Sequence, residues 1–79
     1  AGKHGLDIVL RILNNAQYYL NEGGILVVEV GYSQPMLESV FPGIPFTWLE
    51  FAYGGEGVFL LERSQLEKYQ PLFDHAVTV

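Results

Sequence analysis

The residues with the clearest chemical potential are two glutamates and a glycine-rich turn. Glu29 is the one polar residue in Ile25-Leu26-Val27-Val28-Glu29-Val30. That run is β-branched and apolar at both sets of alternating positions, the pattern of a central strand covered on both faces. Glu29 lies near its carboxyl end, the edge at which open α/β sheets bind ligands. A carboxylate buried there must be paired or hydrogen-bonded. Either it shapes the rim of a substrate or cofactor site, or it is a structural carboxylate held by backbone amides or by Tyr, Ser or Arg. Structural networks of the second kind are common, and that reading is preferred. Glu50 takes the matching place near the end of Phe46-Thr47-Trp48-Leu49-Glu50-Phe51. With Tyr53 it brackets the turn Tyr53-Gly54-Gly55-Glu56-Gly57. Glu29, Glu50, Tyr53, Gly54 and Gly55 therefore form the candidate rim.

Other chemistries find less support. Paired carboxylates suit acid–base work at a glycosidic bond, but two strand-end glutamates alone are weak grounds for it. His4 and His75 are far apart and have no neighbouring ligands, whereas a metal site needs three or four that converge. Ser33 follows a strand, yet Glu29-Val30-Gly31-Tyr32-Ser33 lacks the glycine-bracketed elbow of a nucleophilic serine. A glycine loop that cradles a dinucleotide must leave a strand and open a helix. The turn at Gly54–Gly57 joins two strands, so its glycines read as hairpin chemistry.

The elements that must carry these residues follow from periodicity. Apolar residues at Leu6, Val9, Leu10, Leu13, Ala16 and Leu20 predict a helix over 6–20, with Asp7 in its first turn. Asn21 to Gly24 end it, and a strand over 25–30 follows at once. Gly31 to Ser33 is a loop. Ser33 is positioned to cap a short helix with Gln34 and Pro35 in its first turn and Met36, Leu37, Val40 and Phe41 on its apolar face. Pro42, Gly43 and Pro45 stop it. Strands over 46–51 and 58–62, joined by the short glycine turn, predict an antiparallel hairpin with Phe46, Trp48, Phe51 and Phe59 in the core. Ser64 and Glu67 have capping-box spacing for a last helix that Pro71 ends. No pattern is visible from Asp74 to Val79. The order is α-β-α-β-β-α, and one edge of the strand over 25–30 has no partner in sight.

Composition narrows the functional classes. The chain has 79 residues, 49% hydrophobic and 16% charged, which suits one small folded unit. Its formal net charge is −5, and its four basic residues, Lys3, Arg11, Arg63 and Lys68, are scattered. Direct nucleic-acid binding needs a basic patch and is not expected. No apolar run approaches the length of a membrane span, so no membrane partner is expected. Cysteine is absent, which fits a reducing compartment, and a cytoplasmic location is the expectation. The chain opens on Ala1 in a stretch unlike a natural start, and it is expected to be a fragment or a processed product.

From Gly2 to about Leu66 the sequence resembles the ribosomal-protein glutamine methyltransferases, the PrmB-type group among the HemK-like enzymes. The most specific stretch is Pro45-Phe46-Thr47-Trp48-Leu49-Glu50-Phe51 followed by Gly54-Gly55-Glu56-Gly57-Val58-Phe59. Gly5-Leu6-Asp7, Gly23-Gly24-Ile25-Leu26 and Glu29-Val30-Gly31 are shared by the wider family. The resemblance implies an α/β fold, the C-terminal part of a doubly wound class I methyltransferase sheet. Its last strand runs antiparallel in the middle, giving the spatial order 25–30, 58–62, 46–51. Residues 1–79 would be the C-terminal segment of the catalytic domain, with the donor-binding half absent.

The implied activity is methylation of a glutamine side-chain amide in large-subunit ribosomal protein three, with S-adenosyl-L-methionine as donor. The rim candidates would then face a peptide substrate. The family holds its donor with a glycine loop after the first strand and an acidic residue after the second, and its glutamine with Asn-Pro-Pro-Tyr after the fourth. None of these occurs here. No catalytic, cofactor-binding or metal residue is assigned within the chain, no cofactor is expected bound to it, and alone it is expected to be inactive. Self-association through the exposed strand edge is expected. The rival readings are a release-factor glutamine methyltransferase, against which Trp48-Leu49-Glu50-Phe51 argues, and a non-catalytic interaction module.

Overall fold

Two short β-branched segments and a set of amphipathic helices generate the architecture. The computed structural model describes residues 2–78, with side chains from Leu6 onward. Helix α1 (Gly2–Asn15) starts earlier than its apolar periodicity suggests and tightens into a 3-10 turn over Ala16–Tyr19. Asp7 consequently lies past the first turn. Leu6, Val9 and Leu13 form the buried stripe of this helix. Strand β1 (Ile25–Glu29) follows, then a 3-10 turn at Gly31–Ser33 and helix α2 (Gln34–Val40). Ser33 takes the N-cap position of α2 without a side-chain capping bond, and Pro35 sits in the first turn. Leu37 and Phe41 are buried, whereas Met36 and Val40 are exposed, so the apolar face is narrower than expected.

Strand β2 is only Thr47–Trp48, and strand β3 is Val58–Glu62. The three strands lie in the order β1-β3-β2, and both neighbours are antiparallel to β3. β1 and β2 therefore run in the same direction, with the last strand of the chain between them. The sheet is thus α/β with the expected spatial order. The expected strand over 46–51 is cut short for a local reason. Leu49 N–H still bonds to the Val58 carbonyl at 2.8 Å, but Gly57 then adopts φ +70°. That left-handed backbone turns the chain away before Glu56 can present its peptide groups to Phe51. Phe51 is consequently half exposed rather than in the core.

Helix α3 (Arg63–Lys68) begins directly after β3. Its capping box is Glu62 with Gln65, and the Glu62 N–H donates to Gln65 Oε1 at 2.8 Å. The spacing at Ser64 and Glu67 is the same, but Ser64 is already helical. Pro71 does not end the chain's helical structure. It lies in the first turn of α4 (Gln70–Thr78), where a missing N–H is harmless. Of the segment 74–79, patternless in sequence, the residues up to Thr78 are the body of that helix, and Val79 lies outside the described residues.

A polar network ties α4 to the end of α1. Asn14 Nδ2 donates to Asp74 Oδ1 at 2.6 Å, and Gln70 Nε2 donates to Asp74 Oδ1 at 2.9 Å and to the Asn14 carbonyl at 2.8 Å. Gln17 also donates to Gln70 Oε1. Side-chain amides at these helix ends thereby satisfy one another and a backbone carbonyl.

The core lies against one face of the sheet. Phe59 and Leu61 of β3 meet Leu13, Leu37, Leu66 and Phe73 from the helices, all essentially inaccessible to solvent. Leu26 and Val28 of β1 pack against this cluster. Phe46 and Trp48 close it with ring centroids 4.9 and 5.7 Å from Phe59, and these edge-to-face arrangements suit the aromatic quadrupoles.

The other face of the sheet departs from expectation. Ile25 and Val27 are about half exposed (50% and 49%), and Glu29 is exposed beside them. β1 is therefore covered on one side, because the helices that bury core residues all gather on the Leu26–Val28 face. The bonds Arg63 N–H to Gly24 carbonyl (2.9 Å) and Val30 N–H to Gly57 carbonyl (2.6 Å) fix which groups face β3. By antiparallel alternation, the peptide groups of Ile25, Val27 and Glu29 point to the opposite edge. No strand pairs there among the described residues.

Candidate functional site

The carboxyl ends of β1 and β2 share one rim of the sheet, because the two strands run in parallel. The segment 49–57 arches over that rim. Its base is fixed by Gly57, whose carbonyl accepts from Val30 N–H at 2.6 Å and from Gly31 N–H at 3.3 Å. The two backbones meet so closely that a Cβ on Gly57 would stand 2.6 Å from Gly31 N and 2.8 Å from its Cα. Glycine is the residue that permits this crossing. The end of β1 and the start of β3 are thereby clamped, and the loop after β2 is held beside the first residue of α2.

Between them lies a half-open cleft of about 460 Å³. It is lined by Trp48, Leu49, Glu50 and Phe51, by Gly54, Gly55, Glu56 and Gly57 of the turn, and by Gln34. The cleft thus combines aromatic surface, two carboxylate side chains and one primary amide. It can hold a group that is flat or cationic and able to donate hydrogen bonds.

Of the rim residues named from sequence, Glu50, Gly54 and Gly55 line this cleft. Tyr53 projects fully into solvent at the tip of the loop. Glu29 stands opposite Val58 in the β1–β3 register, exposed on the uncovered face and outside the cleft. It is not the buried carboxylate that its apolar surroundings predict, and among the described residues neither a hydrogen bond nor an ion pair holds its side chain. Gln34, Trp48 and Glu56 were not singled out. Glu56 had a visible signal, lying inside the glycine turn. Gln34 had none, because only the β1–β3 pairing brings the start of α2 beside that turn.

A larger groove of about 760 Å³ lies among α1, α2 and α4. Its walls are mainly aliphatic, from Leu6, Leu10, Met36, Val40 and Leu72, with Asp7 and His75 also in contact. Among the described residues, Asp7 and His75 are its only ionisable lining residues. His75 has no ligand cluster around it, and no group of three His, Cys, Asp or Glu able to hold a metal occurs among the described residues. The side chain of His4 lies outside the described residues. No described helix is long and apolar enough to cross a membrane.

No protein-family model matches the chain, and no solved structure matches it. Curated relatives do. The ribosomal protein uL3 glutamine methyltransferase of Francisella tularensis is 52% identical over 73 residues, covering 92% of this chain and 23% of the relative. The proteins of the same name from Neisseria gonorrhoeae and Neisseria meningitidis are each 48% identical over 66 residues, covering 84% of this chain and 22% of theirs. The chain spans less than a quarter of the length of these curated relatives. Within that span, it is homologous to the ribosomal protein uL3 glutamine methyltransferases.

Proposed function

We propose that this chain is the C-terminal segment of an enzyme that transfers a methyl group from S-adenosylmethionine to a glutamine side-chain amide of ribosomal protein uL3. The observation that carries this reading is the 52% identity over nearly the whole chain to a protein of that name. The sheet supports it. A last strand running antiparallel between two parallel ones agrees with the closing strands of a doubly wound class I methyltransferase sheet.

The chemistry sets clear demands. The amide nitrogen must attack the donor methyl in line, a C–N bond forms as the S–C bond breaks, and the nitrogen gives up a proton. Positioning and stabilisation of developing charge supply the help. The residues present do not fit the donor. Their glycine turn leads into a strand, so it offers no helix N-terminus, and no Asn-Pro-Pro-Tyr is present to grip a glutamine. The segment would instead supply part of the sheet and of the substrate rim, in a soluble cytoplasmic enzyme. The test is transfer of labelled methyl to undermethylated uL3. A longer reading frame that contains this segment transfers it, and the 79-residue chain does not. Transfer by the chain alone, or transfer by the longer protein to a release factor in place of uL3, would overturn the reading.

The bare side of β1 has a further consequence. Its open edge and the half-exposed Ile25 and Val27 are what a neighbouring strand and a covering layer would remove from water. In the complete enzyme the preceding strand would fill that place. The isolated chain is expected to pair β1 edges in a homodimer, the simplest closed assembly. Sedimentation equilibrium checks this, and a folded monomer at high concentration would count against it.

A further inference from the structure

We infer that the cleft between Trp48 and the glycine turn binds an arginine or lysine side chain of the protein substrate, flanking the glutamine that is modified. This deepens the methyltransferase reading and rests on it. Placement comes first: the cleft sits at the shared carboxyl ends of β1 and β2, the rim where open α/β sheets hold ligands. Shape comes second. Half-exposed Phe51 borders the cleft together with Trp48, whose ring also packs on Phe46 and Phe59, and a guanidinium or ammonium group stacks favourably on an aromatic ring. Charge comes third. Glu50 and Glu56 both line the cleft, and neither is used internally, because the one ion pair among the described residues is Arg63 with Glu67 at 3.4 Å. Gln34 adds an amide oxygen able to accept a further N–H.

The partner is complementary. A ribosomal protein neutralises RNA phosphates with Lys and Arg, so its exposed segments are rich in the groups this cleft accommodates. The chain itself carries a net charge of −5, which favours approach of a basic protein.

Trp48, the single tryptophan, borders the cleft, so its fluorescence responds to binding there. The probes are the peptide acetyl-Gly-Arg-Gly-Arg-Gly-amide and its counterpart with citrulline at both arginines, which keeps the shape and removes the charge. The arginine peptide is expected to change Trp48 emission saturably, and the citrulline peptide to bind about five-fold more weakly, as two exposed charge pairs would give. In the Glu50→Gln/Glu56→Gln variant the arginine peptide falls to the citrulline level and the citrulline peptide is unaffected. Both side chains are exposed, and an unchanged circular dichroism spectrum confirms that the fold is intact. Equal binding of the two peptides, no binding of either, or wild-type affinity in the variant would each overturn the inference. The titration contains neither methyl donor nor glutamine. Retained arginine binding without methyl transfer by the longer protein counts against the methyltransferase reading. Methyl transfer without arginine binding counts against the cleft alone.

Discussion

Replacing Gly57 by alanine is expected to destabilise the fold by about 3 kcal/mol. Left-handed backbone at a residue with a Cβ costs about 1–2 kcal/mol. The rest comes from the crossing with Gly31. An added Cβ meets the backbone N and Cα of Gly31 at 2.6 and 2.8 Å, and neither atom can swing aside as a flexible side chain would. Opening the crossing lengthens the bonds from Val30 and Gly31 to the Gly57 carbonyl, each worth about 1 kcal/mol. Gly54→Ala is the natural comparison. Gly54 also has positive φ, +99°, but a Cβ there meets nothing within 4 Å. It should lose only the conformational part, about 1–2 kcal/mol. Urea unfolding of both variants separates the two, and hydrogen exchange at Val30 and Gly31 should accelerate only in Gly57→Ala. If the two variants unfold at the same midpoint, the crossing is not what makes Gly57 special.

Phe59→Ala is expected to cost about 4 kcal/mol, the range for removing a fully buried aromatic ring. Phe59 is wholly inaccessible and sits at the centre of the Phe46–Trp48 aromatic group. A chain of this size has about 4–12 kcal/mol in total, so the variant would be partly or wholly unfolded at room temperature. Trp48 emission should shift to the red as its edge-to-face partner disappears. Phe51→Ala gives the contrast, since a half-exposed ring outside the core contributes little, within about 0.5 kcal/mol. A Phe59→Ala protein that unfolds cooperatively within 1 kcal/mol of the parent, a small fraction of the range for core aromatics, would mean that the aromatic group is not the structural centre.

What could be read from the residues depended on the range of the cause. β1 and β3 were legible because Ile25–Glu29 and Val58–Glu62 are mostly β-branched or apolar and each follows a glycine. The short extent of β2 was not, because it is set by the conformation of Gly57, the residue before the neighbouring strand β3. The capping box expected at Ser64 and Glu67 lies instead at Glu62 and Gln65, because the extended backbone of β3 runs up to Glu62. Pro71 reads as a helix stop but opens α4 instead, and the bonds of Gln70 to Asn14 and Gln17 that anchor α4 span more than fifty residues of sequence. Within the site, the glycine turn and Glu50 were visible as a motif. Gln34 was invisible until β1 and β3 were paired. Glu29 was misjudged for a physical reason: an apolar run shows that a strand suits cover on both faces, not which layers of this chain supply it.

The position of β3 also governs when the sheet can exist. β1 and β2 make no ladder with each other, and both depend on Val58–Glu62, made after either of them. During synthesis of this segment, β1 and β2 leave the ribosome before the strand that joins them, at roughly 5–20 residues per second. Closing Ile25 onto Glu62 then joins residues far apart in the chain, the kind of contact that slows folding. Chains of this segment halted before Val58 should lack both ladders of the β1-β3-β2 sheet, and those carrying β3 clear of the exit tunnel should acquire the two ladders in one step.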